Sequence, residues 1–148
     1  MTWPVKVVAG SDHAGATLKQ ELFKELDRLG IPWEDLGGSE GQPSDYPAVG
    51  HQVANRIPTD CELMGLLICG TGLGMSYTAN RHRGVRAALC HTTTEARYAR
   101  LHNDANILVL GSRITGSLLA IDILNTFLQG RFEGGRHERR VKGIELVE

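Results

Sequence analysis

The residues of this chain best suited to chemistry are a thiol at the end of an apolar run and the glycines that follow it: Ile68-Cys69-Gly70-Thr71-Gly72-Leu73-Gly74-Met75. Gly65 to Ile68 reads as a short strand and Met75 to Arg81 as the helix after it, so Cys69 is expected at the strand's carboxyl end, facing a helix amino terminus. Unpaired backbone N–H groups and the helix dipole favour negative charge there, on a thiolate or on a bound oxyanion. Taken alone, Cys69 reads equally well as a small core residue, as most free cysteines are. A second unusual feature is the run of Arg131, Arg136, Arg139 and Arg140 near the carboxyl end of an otherwise balanced chain. Guanidinium forks bind phosphate oxygens in pairs, and Arg136 and Arg140, one helical turn apart, can reach the same anion. Arg139 is assigned to the solvated face.

The elements that must position these groups follow from periodicity. Val5 to Gly10 reads as a strand; Leu18, Leu22, Leu26 and Leu29 form a helical stripe closed by Gly30. Ile31 to Leu36 is a second strand, Gly37 to Pro47 a loop, and Val49 to Arg56 a helix ended by Pro58. Strands at Leu66 to Cys69, Val85 to Cys90 and Ile107 to Leu110 alternate with helices at Met75 to Arg81, Thr94 to Leu101 and Ile114 to Leu128. This alternation predicts a parallel sheet with helices on both faces, which binds ligands outside the carboxyl ends of its strands. Polar residues gather in the matching segments: Ser11-Asp12-His13, the Cys69 loop, Cys90-His91-Thr92-Thr93 and Gly111-Ser112-Arg113. The helix end His102-Asn103-Asp104 is expected at that same edge. Singly, Asp12 reads as a helix cap, His91 and His102 as surface or cap residues, and Arg113 as a solvated charge. Their convergence on one edge is what suggests a site.

Composition sets the bounds. The chain has 148 residues, 41% hydrophobic and 22% charged, with a formal net charge of −1. That fits one domain over residues 1–148 and argues against a general nucleic-acid or membrane-surface binder. With no signal-peptide core and no bilayer-length apolar run, a cytoplasmic location is expected. Three cysteines, Cys61, Cys69 and Cys90, support neither a disulfide framework nor a structural zinc site.

Several motifs in register resemble one family: Ser11-Asp12-His13-Ala14-Gly15, Asp45-Tyr46-Pro47, Ile68 to Gly74, Ala79-Asn80, His102-Asn103-Asp104-Ala105-Asn106, Gly111-Ser112-Arg113 and Glu133-Gly134-Gly135-Arg136-His137. They are similar to those of the ribose-5-phosphate isomerase B (RpiB/LacAB) sugar-phosphate isomerases, and the resemblance runs essentially end to end. It implies a three-layer αβα Rossmann-like sandwich with a five-stranded parallel sheet and a carboxyl-terminal arm. It also implies an aldose–ketose isomerase that needs no metal or cofactor and works through an enediolate, with Cys69 as the base and Thr71 assisting. A second subgroup uses a glutamate where this chain has Met75, so the resemblance is to the cysteine subgroup. By the same resemblance His102 opens the sugar ring, Asp12 and Asn103 contact the sugar, and Gly70, Gly72, Leu73 and Gly74 supply donors to the enediolate. His13, Arg113, Arg136 and Arg140 clamp the phosphate. The resemblance further implies a homodimer or tetramer with shared sites, His102 and Asn103 coming from the partner.

The residue types suit that chemistry. Developing enediolate charge needs fixed donors, and loop N–H groups supply them without reorganisation. A sugar phosphate is largely a closed ring, so a second acid/base is required, and imidazole has the right intrinsic chemistry. Three rivals fit less well. A dinucleotide-binding module fails because neither Gly10 to Gly15 nor Gly70 to Gly74 completes G-x-G-x-x-G. A non-catalytic phosphosugar-binding domain needs the arginines but neither Cys69 nor His102. A metal site from Cys69, Cys90 and His91 matches no common ligand spacing. Which sugar phosphate is preferred stays open among ribose 5-phosphate, allose 6-phosphate, galactose 6-phosphate and tetrose 4-phosphates. The Gly37 to Pro47 loop and the residues near Tyr77 and His91 are candidates for setting pocket length. A single chain carrying both Cys69 and His102 favours the pentose enzyme, since the galactose enzymes use two related chains.

Overall fold

A computed structural model describes residues 6–59 and 62–145. Val5 and Cys61 lie outside them. Five parallel strands, β1 (Lys6–Ser11), β2 (Trp33–Asp35), β3 (Leu63–Cys69), β4 (Ala87–Leu89) and β5 (Ile107–Gly111), form one sheet in the order β2-β1-β3-β5-β4. The helices are α1 (Ala16–Leu29), α2 (Tyr46–Arg56), α3 (Leu73–Ala79), α4 (Thr93–Leu101), α5 (Ser117–Gln129) and α6 (Arg136–Lys142).

Side chains of a strand alternate between faces, and here both faces are dry. Val7, Ala9, Leu66, Ile68, Leu108 and Leu110 pack under α1, α4 and α5, while Val8, Leu67, Cys69, Ile107 and Val109 pack under α2 and α3. This is the expected αβα sandwich. The Leu18, Leu22 and Leu26 stripe lies in the first core, and Gly30, at φ 72°, ends α1 by donating to Asp27 and Leu26 carbonyls.

Element boundaries depart from expectation where capping outweighs periodicity. The second helix starts at Tyr46 rather than Val49, because Pro47 sits in its first turn, where a missing N–H costs nothing. The third starts at Leu73 rather than Met75, since Gly72 at φ 83° turns the chain into it. α5 starts at Ser117, not Ile114, because the Ile114 and Thr115 N–H groups close a turn onto the Gly111 carbonyl. β3 reaches back to Leu63, whereas β2 and β4 are three-residue edge strands, shorter than expected.

Side-chain amides finish the edge strand. Asn80 brackets Ala87 by donating to its carbonyl at 2.9 Å and accepting its N–H at 2.8 Å, and Asn106 does the same for Arg86 N–H and the Gly84 carbonyl, both at 2.8 Å. These asparagines therefore act in the scaffold.

Candidate active site

The sheet order reverses between β1 and β3, and the connections leaving those strands diverge around a crevice. An open cavity of about 530 Å³ lies there, lined by Asp12, His13, Tyr46, Cys69, Gly70, Thr71, Leu73, Gly74, Tyr77 and Arg113 among others. Each wall has a local cause. Asp12 is both cap and site residue: its Oδ1 accepts the Gly15 N–H at 3.0 Å, which starts the turn into α1 and fixes the carboxylate at the cavity. Cys69 ends β3 almost wholly buried, with the Gly72 N–H directed at its Sγ from 3.2 Å. The Leu73 N–H meets Thr71 Oγ1 at 3.3 Å, so the α3 entrance holds thiol and hydroxyl on one loop. Arg113 is placed by the extension of β5: Ser112 N–H bonds the Cys69 carbonyl and Arg113 N–H the Gly70 carbonyl, both at 2.9 Å.

Two expectations need correction. His102-Asn103-Asp104 does not share this edge. α4 runs antiparallel to the strands, so its end lies at the amino-terminal edge, where Asp104 meets Arg86 and Asn106 accepts the Gly65 N–H. The two ends of β5 alone are about 13 Å apart at roughly 3.3 Å per residue. His91 is likewise absent from the cavity and lies beside Glu95 at the edge strand, 3.8 Å away. Tyr77 and, through the Gly37 to Pro47 region, Tyr46 do line it.

At the opposite edge His102 heads a second cluster. The carboxyl-terminal arm docks there through Glu133 N–H to the Leu101 carbonyl at 3.0 Å, and His137 stacks on His102 with ring centroids 4.1 Å apart. Nε2 atoms of His102 and His137 lie 3.9 and 3.7 Å from the same Glu133 oxygen. Burial, with the charges of His102 and Arg136 behind it, holds the His137 imidazole below its ordinary value. Sequence reading missed Glu133 and His137 as partners of His102; the signal was their four-residue spacing on the arm. The exposed Arg136 and Arg140 stand on the same short helix, α6, and neither lines the Cys69 cavity. Among the described residues His102, Glu133 and His137 are the group with metal-ligand character, their donor atoms within 4.8 Å of one another.

The structure thus divides the expected site in two. Asp12, His13, Cys69, Gly70, Thr71, Leu73, Gly74 and Arg113 meet at the carboxyl edge, while Gly72 reaches only the Cys69 sulfur and does not line the cavity; His102, Asn103, Arg136 and Arg140 belong to the amino edge.

The model of the ribose/galactose isomerase family matches residues 7–144. The chain belongs to that family. Among relatives of this isomerase chain, ribose-5-phosphate isomerase B of Escherichia coli is 40% identical over 143 residues, spanning 97% of this chain and 96% of that protein. A crystal structure of the Thermotoga maritima ribose 5-phosphate isomerase matches with a TM-score of 0.93 and 48% identity, covering 97% and 99% of the two chains. The Mycoplasma genitalium ribose-5-phosphate isomerase B, solved with bound ribulose-5-phosphate, matches at 0.89 and 38% identity, covering 94% and 93%.

Within this isomerase fold Met75 is completely buried in the α2 and α3 core and offers no base to the cavity. Cys69 and Cys90 lie in different cores, so the two cysteines do not form a metal site together. Burial, reinforced by Glu95, pushes the Cys90 thiol up to about 12. It stays protonated at neutral pH and is no base. Cys90→Ala is therefore expected to retain isomerase activity within about twofold, with some loss of stability from the small cavity. Steady-state rates and a melting curve check this.

Proposed function

We propose that this chain is a cytoplasmic aldose–ketose isomerase that interconverts ribose 5-phosphate and ribulose 5-phosphate through an enediolate, residues 1–148 acting as one domain. The observation that carries this reading is the cavity in which a buried thiol and a neighbouring hydroxyl face Asp12, His13 and Arg113. Proton transfer between adjacent carbons of an opened sugar needs one base that reaches both. Cys69 removes the proton from C2 and returns it to C1, Thr71 assists, and the backbone of Gly70 to Gly74 stabilises the enediolate oxygens. Asp12 orients the sugar, while His13 and Arg113 hold the phosphate.

The site is completed by a second copy of the chain. The amino-edge cluster carries the groups the cavity lacks, so in a two-fold dimer the partner subunit's His102 opens the ring, the partner's Asn103 contacts the sugar, and the partner's Arg136 and the partner's Arg140 complete the phosphate clamp. A homodimer, or a tetramer built from such dimers, follows from this division.

A side-by-side rate assay on pentose, hexose and tetrose phosphates tests the substrate. Ribose 5-phosphate is expected to give the highest kcat/KM; a hexose 6-phosphate turned over faster overturns the assignment. In the same assay His102→Ala should depress turnover of ribose 5-phosphate far more than that of a tetrose 4-phosphate, which closes no ring through its phosphorylated end. Equal losses on both count against ring opening by His102.

Replacing Arg136 or Arg140 by Ala should weaken substrate binding by roughly 1.5–3 kcal/mol, the scale of a charge-assisted hydrogen bond, or about tenfold and more in affinity. KM and the inhibition constant of inorganic phosphate are expected to rise together. Unchanged phosphate inhibition in both variants places these arginines outside the clamp.

A further inference from the structure

We propose that Lys19 is a positioning residue for the substrate site: its buried ammonium clamps the Gly37-Gly38 turn and thereby holds Asp12, His13 and Tyr46 where the sugar phosphate binds. The proposal rests on the isomerase reading above.

Lys19 lies on the inner face of α1 with no exposed surface, an unusual place for a strongly hydrated ammonium. Its Nζ donates to Asp35 Oδ1 at 2.8 Å and to the carbonyls of Gly37 and Gly38, each at 2.6 Å. All three ammonium protons are thus used, the condition under which a buried cation is tolerated. The same Asp35 Oδ1 accepts the Gly37 N–H at 3.1 Å. One carboxylate and one ammonium therefore fold the chain back on itself just after β2.

That turn leans directly on the site. The Gly37 carbonyl also accepts the Ser11 N–H at 3.0 Å, and Gly38, at φ 89°, lies so close that a Cβ would collide with the Ser11 carbonyl. Ser11 precedes Asp12. Farther along the same connection the Ser44 backbone meets His13 Nδ1, its carbonyl at 3.2 Å and its N–H at 3.3 Å, and two residues later Tyr46 lines the cavity. The Tyr46 ring in turn abuts Gly74, where a Cβ would come within 2.6 Å of it. The connection thus touches the substrate-binding segment at both ends, and Lys19 anchors it at the first. Cys69 and Thr71 stand on a different connection, the one between β3 and α3, held by bonds of its own.

This separation gives the clamp a kinetic signature. Lys19→Met keeps the length and apolar volume of the stem and removes the ammonium. KM for ribose 5-phosphate is expected to rise about tenfold or more while kcat changes by less than about threefold. Amide exchange at Ser11 and Ser44, hydrogen-bonded across this junction, and at Gly37, held by Asp35, should accelerate while that of β3 and β5 stays slow. Asp35→Asn, at an exposed position, should move both readouts in the same direction by less, and it serves if Lys19→Met does not fold. A residue that only stabilised the fold would lower the melting temperature and reduce kcat through the inactive fraction, leaving KM unchanged; that result overturns the proposal. If the wild-type chain isomerises no pentose phosphate, the functional reading fails on its own, and exchange still decides the clamp: equal protection in wild type and Lys19→Met refutes it.

Discussion

Cys69→Ala is expected to abolish isomerisation, lowering kcat by about 10²–10⁴-fold or more, the range of a positioned general base, while KM moves only a few-fold. The split follows from the site's division of labour. In the proposed site the thiol acts on a carbon-bound proton, whereas His13, Arg113 and the arginines of α6 act on the phosphate. No neighbour replaces the thiol: Met75 is buried in the core and has no proton to exchange, and Thr71 carries a hydroxyl that is a poor base without help. Because Cys69 also packs in the second core, the variant must be shown to melt as a folded protein before its rate is read. Turnover near wild type in such a sample would return Cys69 to a packing role and leave the base unidentified.

What the sequence made legible depended on how local the governing physics is. The α1 stripe with its Gly30 stop, the alternating cores of β1, β3 and β5, and the cavity at the end of β3 all follow from periodicity and from the parallel-sheet rule, and the structure has each of them. Helix starts were missed where one backbone position decides them, as with Pro47 inside the first turn of α2 and Gly72 before α3. The larger miss was His102. Its type and motif were legible, but assigning it to the Cys69 edge ignored the direction of α4: a helix that returns the chain from the carboxyl edge must end at the amino edge. Glu133 and His137 went unseen for a related reason. Their meaning depends on the arm docking against the end of α4, a long-range contact that no short window of sequence reveals. Nothing in the spacing of α1 singles out Lys19, and only Asp35 and the carbonyls of Gly37 and Gly38 give its burial a cause.

The proposed shared site makes a strong demand: catalysis must draw on two copies of the chain. Cys69→Ala chains keep an intact amino edge, and His102→Ala chains keep an intact carboxyl edge, yet each homodimer is expected to be inactive on ribose 5-phosphate. In a mixed dimer one site receives Cys69 from one chain and His102 from the other, while the second site receives neither. With random exchange of subunits, half of the dimers are mixed and half of their sites are whole, so activity should recover to about a quarter of the wild-type value. The decisive measurement is therefore the isomerase rate of differently tagged Cys69→Ala and His102→Ala chains, purified through both tags after subunit exchange. Recovered activity in the doubly tagged fraction is the predicted result; a doubly tagged fraction as inactive as either parent would contradict the shared site.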